Sequence, residues 1–458
     1  MSDLTKLSFF GGASTVTGSK YLVEIDSRRV LVDCGLFQGL KRLRERNWQA
    51  LPFDAKTLDA VVLTHAHLDH SGYLPVLVRA GFRGAIYCTA ATSKLLGLLL
   101  PDSARLQEEE AEFANRRRFS KHAPARPLYT EADAQVALQR LHPIDWLKPI
   151  TLASGITASF SPAGHLLGAA SVLIASASTR VLFSGDVGRP DDLLMRPPAP
   201  APAADWVVIE STYGDRLHAA TDPEMELAAV LNRAIQRGGV VVVPAFAVGR
   251  AQLLLHLIAR LKARRAISDV PVFLNSPMAT DVTQIYHAHL GEHRLSDDEC
   301  KAMCTAARFV NTVEESKSLN RRQGPMIIVS ASGMATGGRV LHHLKAFAPD
   351  ARNMIVFTGY QAAGTRGAVL VGGADTVKIH GEWVPVRAEV VQLQGMSAHA
   401  DRAQLVAWLQ SAAHTPERVF VTHGEPAAAD ALRQYLGRDI PTQVSVPEHA
   451  ETIARGKD

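Results

Sequence analysis

Residues 64–70 read Thr-His-Ala-His-Leu-Asp-His, and no other stretch of this 458-residue chain so narrows what it can become. The apolar run before it, AVVL, predicts a strand that delivers the cluster to a turn ahead of a helix. Imidazole and carboxylate are both good zinc ligands. Side chains alternate along a strand, so His65 and His67 point the same way at its end. Asp69 and His70 come one turn later and can face a second ion. The helix is expected to start at Ser71, with Leu74, Leu77 and Val78 at helical spacing. One loop seldom completes two metal sites, so further ligands must come from afar. His165 in SPAGHLLG, Asp186 in LFSGDVG and His423 in FVTHGE each sit beside a glycine at the end of an apolar strand. Open sheets place their sites at such ends.

The surrounding chain has two rhythms. Up to about residue 190 it consists of short strands broken by Gly, Asp and Ser, such as SKYLVEI, RRVLVDCG, ITASFSPAGH and RVLFSGD, with a polar helix over 103–121. The run RPPAPAPAA at 196–204 cannot hold a helix or a central strand and is expected to be a surface linker. From Trp206 onward, VVIE, GVVVVPA, PVFLNS, MIIVSAS and NMIVFTG alternate with helical sequence. Continuous apolar strands of this kind are buried on both faces in a mostly parallel sheet. After about residue 385 the first rhythm returns with AEVVQLQG, a helix at 401–411 and ERVFVTHG. The expected organisation is an outer domain formed by 1–208 and 386–458, interrupted by an inserted domain at 209–385. The length calls for two domains. A composition of 47% hydrophobic and 21% charged residues is that of a soluble globular protein. No apolar run is long enough to span a membrane, and the first residues lack the layout of a secretory signal. Four scattered cysteines fit a reducing compartment, so the cytoplasm is expected. A net charge of +4 permits a polyanionic partner without requiring one.

The motif HAHLDH with a later lone His, a Gly-Asp and a late His resembles the metallo-β-lactamase superfamily. The resemblance implies an α/β fold: an αββα metallo-β-lactamase sandwich with two zinc ions, and manganese as an alternative. His65, His67 and His165 would hold one ion. Asp69, His70 and His423 would hold the other, and Asp186 would bridge. Asp33 in LVDCG matches the acidic residue that orients a ligand histidine, a common arrangement around zinc. Three further motifs are similar to the β-CASP branch, which processes nucleic acids and carries an inserted parallel-sheet α/β domain. Glu210 in VVIEST matches its acidic motif and His399 in GMSAHADR its histidine motif. His423 falls where RNA-acting members carry histidine and DNA-acting members typically carry valine. The similarity extends to VPAFAVGRAQ, LNSPMA, VSASGMATGGR and FTGYQAAGTRG, as in bacterial and archaeal relatives of the endonuclease of messenger-RNA 3′-end processing. It does not include the C-terminal dimerisation domain of ribonuclease J or a KH-type extension.

The implied activity is zinc-dependent hydrolysis of single-stranded RNA, endonucleolytic, leaving a 5′-phosphate and a 3′-hydroxyl. Two zinc ions can activate a bridging hydroxide and neutralise the scissile phosphate. Asp69, Glu210 and His399 would take part in catalysis, the last two by protonating the leaving oxygen. In the inserted domain, Ser332, Gly333, Thr336, Gly337 and Gly338 precede a helix. Exposed N–H groups there suit a phosphate, and an ordinary strand–helix turn reads the same way. Two basic runs, Lys41 to Arg46 and Arg116 to Arg118, are solvated faces or RNA-steering surfaces. Competing activities are 5′-3′ exonuclease action, a non-catalytic RNA-binding subunit, DNA repair and small-molecule hydrolysis on the same fold. No membrane partner is expected, and the sequence leaves room for a homodimer.

Overall fold

A computed structural model describes residues 5–118 and 122–455. The chain divides into two compact units. One runs up to Leu217 and resumes at His399; the other is His218–Ala398. Among the described residues, no helix is long and apolar enough to cross a membrane.

The first unit contains two seven-stranded sheets. In the first, Thr5–Phe9, Tyr21–Ile25 and Arg28–Val32 pair antiparallel, and the sheet then turns parallel through Ala60–Val62, Ala85–Thr89 and Leu141–Ile144. The second runs antiparallel from Ile150–Ala153 through Ile156–Pro162 and Ala170–Ala175 to Arg180–Phe183. It continues parallel through Trp206–Ile209, Arg418–Val421 and Gln443–Ser445. Alternate residues of the two sheets, among them Phe9, Val23, Val62, Phe160, Val172, Phe183, Trp206 and Phe420, share one buried core. Helices Arg402–Gln410 and Pro426–Asp439 cover the second sheet with Leu405, Leu409, Leu432 and Leu436. Helix Ala90–Arg117 lies by the first, and Glu131–Leu138 packs on that helix and on Leu74–Arg79. The helix expected at 103–121 is thus the later part of a longer one, and its last three residues fall outside the described chain.

The second unit holds a six-stranded sheet, parallel throughout, in the order Arg308–Phe309, Val272–Asn275, Met326–Ser330, Val240–Pro244, Met354–Phe357 and Glu389–Gln392. Two strands depart from the expected rhythm. Trp206–Ile209, read with the inserted strands, lies between two parallel neighbours of the sandwich and is buried along its whole length. Glu389–Gln392, read with the returning outer domain, is an edge strand of the inserted sheet and only half buried. Apolarity followed the number of covered faces, not the unit. The Pro-Ala run at 196–204 is strapped down instead of free. Ala199 N–H donates to Pro162 O at 2.8 Å, Trp408 Nε1 to Ala199 O at 3.0 Å, and Ala201 N–H to Ser411 Oγ at 2.9 Å.

Candidate metal centre

Strand direction gathers the candidate site. Arg28–Val32 and Ala60–Val62 are parallel neighbours, so Asp33 and His65 leave the first sheet at the same end. Arg180–Phe183, Trp206–Ile209 and Arg418–Val421 are parallel neighbours as well, and Asp186, Glu210 and His423 follow their ends. His165 arrives on the loop between Ile156–Pro162 and Ala170–Ala175. The expected helix after His70 begins earlier, as a short turn over Leu68–Ser71 that carries Asp69 and His70, and resumes at Leu74.

All seven sequence-predicted ligands meet, in two sets. His65 Nε2 lies 3.1 Å from His67 Nδ1 and 3.4 Å from Asp186 Oδ2. His165 Nε2 lies 3.3 Å from His67 Nδ1 and 3.5 Å from the same carboxylate oxygen. In the other set, His70 Nε2 is 3.1 Å from His423 Nε2 and 3.3 Å from Asp186 Oδ1. Asp69 Oδ2 is 3.5 Å from His423 Nε2. Ligands about 2.0–2.1 Å from a tetrahedral zinc are about 3.3 Å from one another. The separations in both sets are close to that figure, and Asp186 has Oδ2 turned to the first set and Oδ1 to His70 of the second. The residues present therefore fit bound metal. Asp186, Glu210 and His423 are also close enough to share an ion. Glu210, however, already accepts from Val187 N–H at 2.7 Å and Thr212 N–H at 3.2 Å.

Burial makes these groups respond strongly to one another. Desolvation, helped by neighbouring imidazoles, drives His65 well below the usual histidine range and His67 down to about 4, leaving neutral rings with lone pairs to offer. For His70, burial acts downward, but the carboxylates of Asp186 and Asp33 outweigh it and hold its pKa well above normal. Asp186 is held well below the carboxylate range despite burial, because His423, His70 and His65 surround it. Asp69 is lowered too: burial opposes the shift, and hydrogen bonding to His423 prevails.

A supporting layer orients the rings. Asp33 Oδ2 sits 2.7 Å from His70 Nδ1, which leaves Nε2 facing the second set. Asp33 is itself fixed by Thr64, whose N–H and Oγ1 both donate to it at 2.8 Å. Thr64 Oγ1 also lies 3.1 Å from His65 Nδ1. Thr212 Oγ1 is 3.2 Å from His423 Nδ1, and His423 N–H donates to Gly12 O at 2.6 Å. Sequence reasoning missed Thr64 and Thr212, because a threonine at a strand end carries no distinguishing pattern.

His399 and Glu210 lie together beside the first set. His399 Nδ1 is 3.1 and 3.2 Å from the two Glu210 oxygens and 4.0 Å from Asp186 Oδ2. The His399 ring is 4.5 Å from that of His165. Bridges Gly164↔Val187 and Gly188↔His399, with Ala400 N–H donating to Val187 O at 2.7 Å, tie three loops into one rim. Ser332, Gly333, Thr336, Gly337 and Gly338 share a loop of the other unit, between Met326–Ser330 and the helix Val340–Phe347. There Thr336 N–H donates to Ser332 Oγ at 3.1 Å, and Ser332 Oγ lies 3.0 Å from Thr336 Oγ1.

Comparison with known proteins bears on this geometry. The metallo-β-lactamase superfamily matches residues 15–244, the β-CASP domain residues 251–370, and the Zn-dependent metallo-hydrolase RNA specificity domain residues 383–447. Ribonuclease TTHA0252 of Thermus thermophilus is 38% identical over 437 residues, covering 93% of this chain and 95% of that protein. Transcription termination factor FttA of Methanocaldococcus jannaschii is 31% identical over 465 residues, covering 98% of this chain and 71% of its own. In fold, the chain is similar to a crystal structure of a protein of unknown function from Enterococcus faecalis V583, with a TM-score of 0.55 at 14% identity, covering 99% of this chain and 100% of that one.

Proposed function

The chain belongs to the β-CASP branch of the metallo-β-lactamase superfamily, a family of metal-dependent hydrolases, and from that premise we propose that it is a zinc ribonuclease acting on single-stranded RNA. In this reading it cuts within the strand and leaves a 5′-phosphate and a 3′-hydroxyl. The carrying observation is the four-residue set His65, His67, His165 and Asp186 next to the three-residue set Asp69, His70 and His423, with the His399–Glu210 pair alongside. The name ribonuclease, borne by the Thermus relative matched along almost its whole length, supports the choice of RNA.

When bound at these sets, two divalent ions would supply an activated water and positive charge for the scissile phosphate. His65, His67 and His165 with one Asp186 oxygen would hold the first. Asp69, His70 and His423 with the other oxygen would hold the second. The chain's own contribution to the chemistry is a proton. As water adds to phosphorus, the P–O3′ bond breaks and the departing oxygen needs a hydrogen. His399 is placed to give it from Nε2, because its Nδ1 is turned to Glu210. Glu210 is fixed by the N–H groups of Val187 and Thr212, so it both orients the ring and favours its protonated form. We assign the loop Ser332–Gly338 a phosphate-binding role on the same reading.

The deciding experiment incubates the zinc-loaded protein with 5′- and 3′-labelled RNA and with DNA of the same sequence, with and without chelator. Internal cleavage of RNA that stops on chelation is expected. DNA cut as fast as RNA would overturn the substrate assignment, and products shed one nucleotide at a time would overturn the internal mode.

A further inference from the structure

The segment Lys41–Trp48 is the basic run that the metal centre leaves unused. It holds four basic residues against one acidic, Glu45. Lys41 is offset by Glu45 at 3.5 Å, and Arg46 lies over the Phe37 ring at 5.4 Å. Arg42 and Arg44 are exposed and have no ion-pair partner among the described residues. Trp48 follows them with 61% of its surface in solvent. A lone exposed aromatic needs no explanation on most surfaces. This one ends a cationic helical segment, an α turn over Lys41–Arg44 continued as a 3-10 turn over Glu45–Trp48. Buried Asn47, next to it, donates from Nδ2 to Phe37 O at 2.8 Å and accepts from Phe37 N–H at 2.9 Å. Tyr73 Oη donates to Asn47 O at 3.1 Å.

The residues just before Phe37, to which Asn47 is bonded, are tied to the turn that carries the candidate ligands. Cys34 N–H donates to His70 O at 2.7 Å, Leu36 N–H to Leu68 O at 2.8 Å, and Tyr73 N–H to Cys34 O at 2.8 Å. A strand held on this segment would therefore be held by the same hydrogen-bonded block that carries Asp69 and His70. Unpaired cations beside an exposed aromatic suit single-stranded nucleic acid: charge for phosphates and a flat face for a base.

We propose that Arg42, Arg44 and Trp48 form a landing surface for an unpaired RNA strand on its way to the metal centre. The indole stacks on one base while the two guanidiniums pair with neighbouring phosphates. The inference takes only the choice of RNA from the ribonuclease reading.

The test uses zinc-loaded protein and a fluorescent RNA of about 12 nucleotides with phosphorothioate linkages, which keep the charge and resist hydrolysis. Trp48→Ala is expected to weaken binding by roughly 5- to 150-fold. The double variant Arg42→Gln/Arg44→Gln should make the slope of log affinity against log salt shallower by about 1.4. On an abasic strand the Trp48 effect should vanish and the arginine effect persist. Metal content and melting temperature of each variant report folding. RNA affinity within about twofold of the parent in both variants overturns the proposal. So does a Trp48→Ala variant that splits a dimer in sedimentation without losing RNA, since the face is then a self-contact. If the variants lose RNA as expected but the parent cuts no unmodified RNA, the ribonuclease reading fails and the landing surface stands.

Discussion

His399 and Glu210 separate two jobs that metal ligands cannot do for each other. In the proposed reading the ligands hold ions, and the pair at 3.1 Å holds a proton for the leaving oxygen. His399→Ala is expected to retain both metals by elemental analysis while slowing RNA cleavage by roughly 10²–10⁴-fold. Glu210→Gln should act in the same direction, more mildly. With a nitrophenyl phosphodiester, whose leaving group needs no proton, most of the His399→Ala loss should disappear. Loss of a metal instead would place His399 among the ligands. A second residue, Lys20, is buried beneath the ligand turn. Its ammonium donates to Gly35 O and sits 4.8 and 4.5 Å from the rings of Phe37 and Tyr73. Burial lowers its pKa from 10.5 to about 8, and Cys34 opposes the shift. Below about pH 8 both folded and unfolded chains are protonated, so the cost of the buried charge is fully present. Between about 8 and 10.5 the unfolded chain binds more protons, and stability rises with pH. Relative to Lys20→Met, the parent should therefore gain up to about 3 kcal/mol over that window, read as the difference in denaturant midpoints at neutral and at high pH.

Among the elements, the sandwich places its candidate ligands through loops that touch backbone to backbone. A Cβ on Gly188 would lie 2.0 Å from Gly164 O and 2.6 Å from His165 N, where no flexible side chain can give way. Gly188→Ala is expected to push the His165 loop away, so that bound metal falls from two ions toward one and the melting temperature drops. Gly97, inside Ala90–Arg117 with open space where its Cβ would be, is the control. Gly97→Ala should stabilise by roughly 0.5–1 kcal/mol. The same loops explain what was legible in the sequence. Each distant ligand adjoins a glycine, because the sharp turn that aims it needs unusual backbone: Gly164 and Gly185 have φ of 72° and 57°, and His423 itself has 47°. Pattern and geometry share one cause there. Lys20, Thr64 and Thr212 had no such signature, since their roles come from what tertiary packing brings to them. VVIE reads like the inserted strands and EVVQ like the outer ones because a parallel strand between two neighbours and a half-covered edge strand differ in burial, whichever sheet they join.

For the molecule as a whole, the donor sets, the His399–Glu210 pair and the sandwich core all belong to one unit, while the six-stranded parallel sheet belongs to the other. The two crossings between units start close together, with Arg402 N–H donating to Arg216 O at 3.2 Å. Replacing 218–398 by a short Gly-Ser linker should therefore leave a folded unit that binds two metals and hydrolyses a nitrophenyl phosphodiester. It should lose cleavage of RNA, along with the loop Ser332–Gly338. An unfolded product would show that the sandwich depends on the insertion. The same interruption sets an order of events at the ribosome. His65, His67, His165 and Asp186 are all made before the insertion begins; His399 and His423 come after it ends, and Thr5–Phe9 waits longer still for its partner Thr452–Arg455. At about 5–20 residues per second, the gap between Asp186 and His423 is roughly ten to fifty seconds of translation. Throughout it the nascent chain can complete one donor set and has neither the second set nor a proton donor. On the ribonuclease reading, the site is thus completed only after the insertion has been made.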